Sequence, residues 1–194
     1  MKNYVARWIT NPEKVMVDWR RPTLPAPIFR KRFTVSEIDK PCHLYLGVAG
    51  YVQLYLNSVR VDEGCLHPSP SVYDRHWKYS VYEVSKFLRT GENVLVVILG
   101  NGWYNLQTPE VWHFDKATWR AYPKMLLQLE NGNGTLLCSS DSTWEYGTGP
   151  IVFDSLRGGE YYDARLESDW ASESYYLVSG SQGVERRSWQ PARV

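Results

Sequence analysis

Gly50-Tyr51-Val52-Gln53-Leu54-Tyr55-Leu56-Asn57 and Gly91-Glu92-Asn93-Val94-Leu95-Val96-Val97-Ile98-Leu99-Gly100 decide the fold of this chain. In the first, Val52, Leu54 and Leu56 alternate with Gln53, Tyr55 and Asn57. That two-residue period marks a strand with one buried face. In the second, residues 94–99 are apolar on both faces, which predicts a central strand covered on each side. Upstream, Leu44, Leu46 and Val48 alternate with Tyr45, Gly47 and Ala49 in the same way. Downstream, residues 125–130 and 135–139 flank Asn131-Gly132-Asn133-Gly134. Asn and Gly tolerate the positive φ of tight turns, so this reads as a hairpin. One short helical turn is expected at residues 84–88, with Gly91 available to end it. No long amphipathic helix is present. Many short strands with Gly, Pro and Asn turns predict an all-β sandwich or barrel with less than about one-tenth helix.

The chain has 194 residues, enough for one sizeable core without covalent staples. A net charge of +1 argues against broad electrostatic binding to nucleic acid, which needs many cations on one face. No apolar run approaches the length of a membrane span. Cys42, Cys65 and Cys138 are odd in number and form no CxxC pair, so free thiols are expected rather than a disulfide framework or a zinc site. The four histidines stand singly, without metal-ligand spacing, and no Gly-x-Ser-x-Gly elbow occurs. Trp and Tyr outnumber Phe, and such rings join an apolar body to a polar handle suited to sugar surfaces. Most of them are nevertheless expected to fill the core.

Two motifs are more specific. Gly100-Asn101-Gly102-Trp103-Tyr104 follows the central strand, and Gly159-Glu160-Tyr161-Tyr162-Asp163-Ala164-Arg165 follows Gly149-Pro150-Ile151-Val152-Phe153-Asp154. Taken in order, with Gly91-Glu92-Asn93 between strands and Trp189-Gln190-Pro191-Ala192 near the end, they resemble the N-terminal β-sandwich domain of bacterial α-L-rhamnosidases. The chain departs from that pattern at Asn101, where many relatives are acidic, and at Leu56-Asn57-Ser58, where an Asn-Gly turn is usual. The resemblance implies a jelly-roll, galactose-binding-like β-sandwich over residues 28–167. Residues 1–27 would be an extension packing on it. Residues 168–194 would be a loop and the start of a linker to a helical-barrel catalytic domain, because the sequence stops at Val194 before such a barrel could begin. The implied partners are a rhamnose-containing glycan and the catalytic domain of the same polypeptide, with no nucleic acid and no membrane span. No cofactor is required. Accessory β-sandwiches of this kind can hold calcium through hard oxygen donors, and Asn101 and Asp141 are candidates. Compartment stays open.

For a sugar site, the glycine-framed turn nominates Asn101, Trp103, Tyr104 and Asn105. The amides would meet hydroxyls, and Trp103 or Tyr104 would stack on a pyranose face. Trp103 could equally plug one end of the core. The residues around Trp112, Phe114 and Trp119 could form a contact surface or fold back on the sandwich. Glu160 and Asp163 lie three apart, on opposite faces of a regular strand. That does not suit the facing carboxyls of a glycosidase. A structural knot of Glu160, Asp163 and Arg165 is expected, with Arg165 holding a carboxylate. The resulting expectation is a non-catalytic carbohydrate-binding or positioning domain. The alternative is a structural domain that packs against the catalytic barrel and binds no sugar.

Overall fold

The computed structural model describes residues 4–11, 25–39, 41–108, 112–167, 190–192 and 194. These residues build the all-β sandwich that the alternation predicts. One antiparallel sheet runs β1 (Ile9–Thr10), β8 (Lys124–Glu130), β3 (His43–Ala49), β6 (Tyr79–Glu83), with β9 (Leu136–Ser139) also on β8. The facing sheet runs β13 (Gln190–Pro191), β10 (Glu145–Thr148), β2 (Pro27–Val35), β7 (Gly91–Gly100), β4 (Tyr51–Leu56), β5 (Val59–Arg60). A separate hairpin pairs β11 (Ile151–Ser155) with β12 (Gly159–Tyr162). Helix among the described residues is confined to single 3-10 turns, one of them Ser85–Phe87 within the expected 84–88.

The core lies between the sheets. Leu44, Leu46 and Val48 of β3 face Val52, Leu54 and Leu56 of β4 and Leu95, Val97 and Leu99 of β7. The other face of β7 is buried as well. Val94, Val96 and Ile98 join Ala26, Ile28 and Ile151 in a second cluster on the outside of the larger sheet. This is why β7 is apolar throughout, and it places the β11–β12 hairpin on that outer face through Ile151. Arg30 also sits there without solvent exposure, its Nε donating to Glu145 Oε2 at 2.9 Å.

The turns account for several sequence features. Asn57 (φ 52°) and Ser58 (φ 67°) make a two-residue turn between β4 and β5 with both residues left-handed. The Asn57 side chain compensates for the missing glycine. Its Nδ2 donates to Phe87 O and Asn93 Oδ1, and its Oδ1 accepts from Val94 N–H. Asn93 of the Gly-Glu-Asn run is fully buried and also ties down both Arg89 and Gly91. The expected hairpin at Asn131–Gly134 joins β8 to β9, with Asn131 Oδ1 accepting from the Asn133 and Thr135 N–H groups.

The chain ends add more than the sequence suggested. Ile9, in the extension expected to pack on the sandwich, is fully buried on β1. Gln190–Pro191, expected at the start of a linker, form an edge strand on β10, and Ala192 enters the core. Both segments are too short for periodicity to declare them strands. The expected loop at residues 168–183 lies outside the described residues. Cys42, Cys65 and Cys138 form no disulfide, the first and last being buried and Cys65 exposed. No helix among the described residues is long and apolar enough to cross a membrane.

Candidate functional site

Strand β7 leaves the sheet at Gly100, and the turn that follows is held by a carboxylate from the hairpin. Asp154 Oδ1 accepts the Asn101 backbone N–H at 2.7 Å, and its Oδ2 accepts Asn101 Nδ2 at 2.9 Å. Asn101 Oδ1 in turn accepts Asn105 Nδ2 at 2.7 Å, and Asn105 Oδ1 accepts Arg120 Nε at 3.1 Å. Arg120 Nη1 donates to the Asp115 carbonyl at 2.9 Å. A buried polar chain therefore links the hairpin to residues 101–120. The two glycines of the motif have separate tasks. A Cβ on Gly100 would stand 3.3 Å from Asp154 Oδ1, and Gly102 has φ +52° with the Tyr51 ring equally close to where its Cβ would be.

This geometry corrects the expectation of a turn with open N–H groups and surface amides. The Asn101 N–H is taken by an internal carboxylate. Asn101 and Asn105 are 4 % and 2 % exposed. Tyr104 is also interior at 2 %, packed on Tyr73 at 5.0 Å and Trp77 at 5.7 Å. Of the four nominated residues, only Trp103 shows surface, as a half-buried ring 6.2 Å from Trp112 and 5.8 Å from Phe114. The aromatic segment is divided between surface and interior. Phe114 and Trp119 fold back, whereas Trp112 is 57 % exposed; residues 109–111 lie outside the described set.

Beside this brace lies a cleft of about 400 Å³ on the outer face of the larger sheet. Its floor is the register-paired end of β4 and β7, where Tyr51 stands opposite Gly100 and Gln53 opposite Ile98. Arg60 and Leu66 line it, as do Ile151, Asp154 and Glu160 from the hairpin. Asp154 and Glu160 are direct cross-strand partners, so both side chains leave the hairpin on one face. The expected knot of three is thus divided. Arg165 grips Asp163 with Nε to Oδ1 at 2.8 Å and Nη2 to Oδ2 at 2.6 Å, which holds the Asp163 carboxyl down to about 2. Glu160 belongs to the cleft. Asp163 lies just beyond β12 at the start of a 3-10 turn, and the partner of Glu160 across the hairpin could not be read from spacing.

The Asp154 carboxyl is pushed up to about 6. Burial is the main cause, opposed by the two Asn101 N–H donors and reinforced by Glu160. A raised folded-state value means that the folded protein holds this proton more tightly than the unfolded chain. The stabilisation from this group is therefore fully present below about pH 4 and is lost as pH rises through about 6. The difference amounts to on the order of 3 kcal/mol at most. Urea unfolding of the wild type and Asp154→Asn at pH 4.5 and 7.5 is expected to show the wild type losing ground to the variant at the higher pH. A gap independent of pH would contradict this.

Asn101 and Asp141, nominated for calcium, are each committed internally. Asn101 Oδ1 accepts amides, and Asp141 Oδ1 accepts the Thr143 N–H and hydroxyl. Among the described residues no group of three or more His, Cys, Asp or Glu side chains is placed to hold a metal ion.

Comparison with known proteins agrees on one family. The family model described as the α-L-rhamnosidase N-terminal domain matches residues 39–194. An α-L-rhamnosidase from Formosa agariphila is 37 % identical over 158 residues, covering 77 % of this chain and 16 % of that protein. The structure of α-L-rhamnosidase from Dictyoglumus thermophilum superposes with a TM-score of 0.73 at 31 % identity, over 98 % of this chain and 21 % of that one. The Streptomyces avermitilis α-L-rhamnosidase, solved in complex with L-rhamnose, superposes at 0.68 with 28 % identity, over 87 % of this chain and 16 % of that one. The chain thus spans about a sixth to a fifth of the length of the relatives it matches.

Proposed function

This chain belongs to the α-L-rhamnosidase N-terminal domain family, and from that premise we propose that it is a non-catalytic domain whose cleft binds a deoxy sugar such as L-rhamnose. The supporting observation is the mixed character of the cleft between sheet and hairpin. Ile98, Ile151 and Leu66 offer apolar surface, while Gln53, Arg60 and Glu160 bring hydrogen-bonding groups into the same 400 Å³. A 6-deoxy pyranose has a methyl group for the first set and hydroxyls for the second. Pockets of this kind use apolar walls for area and a few fixed polar groups for orientation. The Asn101–Asp154 brace holds the loop and hairpin together, so the cleft is formed before a ligand arrives.

Binding fits this cleft better than hydrolysis does. Glycoside hydrolysis needs one carboxyl to give a proton to the leaving oxygen while a second attacks or activates water. Asp154 and Glu160 face the same space, but both Asp154 oxygens accept bonds from Asn101. With both oxygens engaged by Asn101, Asp154 serves as a brace between loop and hairpin.

A second reading, docking against a catalytic domain of the same polypeptide, draws on another surface. Tyr79, Val81 and Tyr4 are 60 %, 49 % and 45 % exposed, with the Tyr4 and Tyr79 rings both against Tyr45. Exposed apolar patches of this sort mark contact sites.

Calorimetric titration of the full chain with L-rhamnose tests the first reading. Saturable binding is expected with a dissociation constant on the order of 0.1–1 mM, as suits one small ring. Glu160→Gln should weaken it. No turnover of p-nitrophenyl α-L-rhamnoside is expected. Absence of saturable binding would overturn the binding assignment. Turnover that tracks the protein and disappears in Asp154→Asn or Glu160→Gln would overturn the non-catalytic one.

A further inference from the structure

Two segments of the chain lead from the cleft to a second surface of different chemistry. Gly102 lines the cleft, and the next residue, Trp103, begins an aromatic shelf. Leu156, in the hairpin turn, also lines the cleft, and the following residue, Arg157, sits over the Trp112 ring with its guanidinium carbon 5.0 Å from the centroid. Consecutive Cα atoms are only about 3.8 Å apart, so the shelf adjoins the cleft at two points of the chain. Trp103, Trp112 and Phe114 contact one another at centroid separations of 5.8–6.3 Å.

This shelf differs from a core cluster in what it leaves open. Tyr104, on the neighbouring ring cluster, is buried at 2 %, whereas Trp112 is 57 % exposed. The solvent-facing indole is nevertheless held by contacts with the Trp103 and Phe114 rings and with the Arg157 guanidinium. A rigid aromatic surface loses little conformational freedom on contact with a ligand, and Trp is the side chain that most often carries binding energy in such settings. The Asn101–Asn105–Arg120 chain runs beneath this loop and keeps its position relative to the hairpin.

We infer that the site takes a glycan of at least two sugar units, with one ring in the cleft and the adjoining ring stacked on Trp112 and Trp103. The inference rests on the cleft reading above and adds a second subsite to it. Trp112 is its specificity-determining residue, and Arg157 is a positioning residue that holds the indole. The ligand class is accordingly an oligosaccharide chain carrying a deoxy sugar. A free monosaccharide fills only half the site.

The experiment compares methyl α-L-rhamnopyranoside with the methyl glycoside of α-L-rhamnopyranosyl-(1→3)-L-rhamnose, titrated into the full chain and into Trp112→Ala and Arg157→Ala. The disaccharide should bind roughly ten- to thirty-fold more tightly than the monosaccharide. Trp112→Ala should abolish that advantage and leave monosaccharide affinity unchanged. Arg157→Ala should remove part of it. Trp112 is exposed, and thermal melts of the variants should match the wild type. If the monosaccharide binds and the disaccharide gains nothing, or if the gain survives Trp112→Ala, the second subsite is overturned and the cleft stands. Equal weakening of both ligands by Trp112→Ala would place the indole in the first subsite and also overturn the inference. If neither ligand binds, the cleft reading falls and the subsite with it.

Discussion

Replacing Gly50 with alanine should destabilise this domain by roughly 3–5 kcal/mol and disturb the cleft at the same time. Gly50 makes the turn from β3 to β4 at φ +124°, a conformation that disfavours any Cβ. An added Cβ would also stand 2.2 Å from the Gly100 carbonyl oxygen. Backbone cannot swing aside as a flexible side chain would, so one of the two segments must move. The segment it meets carries Asn101 and Gly102, and thus the brace to Asp154. For a domain of this size the melting temperature should fall by roughly 6–20 °C. Gly91→Ala separates the two causes. Gly91 has φ +95° but nothing within 4 Å of its would-be Cβ, so only the conformational cost applies, about 1 kcal/mol. Equal melting temperatures for the two variants would refute the collision argument.

The second large effect is expected at Trp144. Its side chain is fully buried between β9 and β10, and its Nε1–H donates to the Ser139 carbonyl at 2.8 Å. Trp144→Ala removes the largest wholly buried side chain among the described residues and leaves that carbonyl without its partner. The cavity costs about 3–5 kcal/mol and the lost bond about 1–3 more, partly shared between the two terms. Total stability for such domains is about 5–15 kcal/mol, so the variant should be marginal at best. Trp144→Phe should keep most of the packing and lose chiefly the hydrogen bond. Urea unfolding measures both. An alanine variant with the wild-type midpoint would show that the indole does not carry the core.

These two residues differ in how visible they were beforehand. Gly50 begins the quoted stretch, yet nothing local shows why glycine is needed there. The obstacle is the carbonyl of residue 100, brought close only because Tyr51 pairs with Gly100 across β4 and β7. Trp144 is one of nine tryptophans, and composition alone assigns none of them to the core. Period-two alternation, by contrast, is a property of neighbours along the chain. It identified β3 and β4 because a strand with one face on a core must alternate whatever it pairs with, and the Asn-Gly run identified the β8–β9 hairpin. The doubly apolar run at residues 94–99 likewise announced a strand covered on both faces.

The site divides along the same line. The Gly-x-Gly-Trp-Tyr run was recognisable as special, because two glycines framing a turn after a central strand reflect a local backbone demand. Which of its side chains meet solvent was decided elsewhere. Asp154, 53 residues away, takes the Asn101 N–H groups and draws the amide inside. Glu160 passes from a motif shared with Asp163 to a cleft shared with Asp154, because the register of β11 on β12 puts those two opposite each other. The sequence alone therefore determined β3, β4, β7, β8 and β9, the hairpin turn, the sandwich class and the family resemblance. The buried polar chain, the cleft on the outer sheet face and the exposed indole of Trp112 came only with tertiary structure. Hydrogen-bond partners and solvent exposure are set by which distant segments meet, and periodicity carries no record of that.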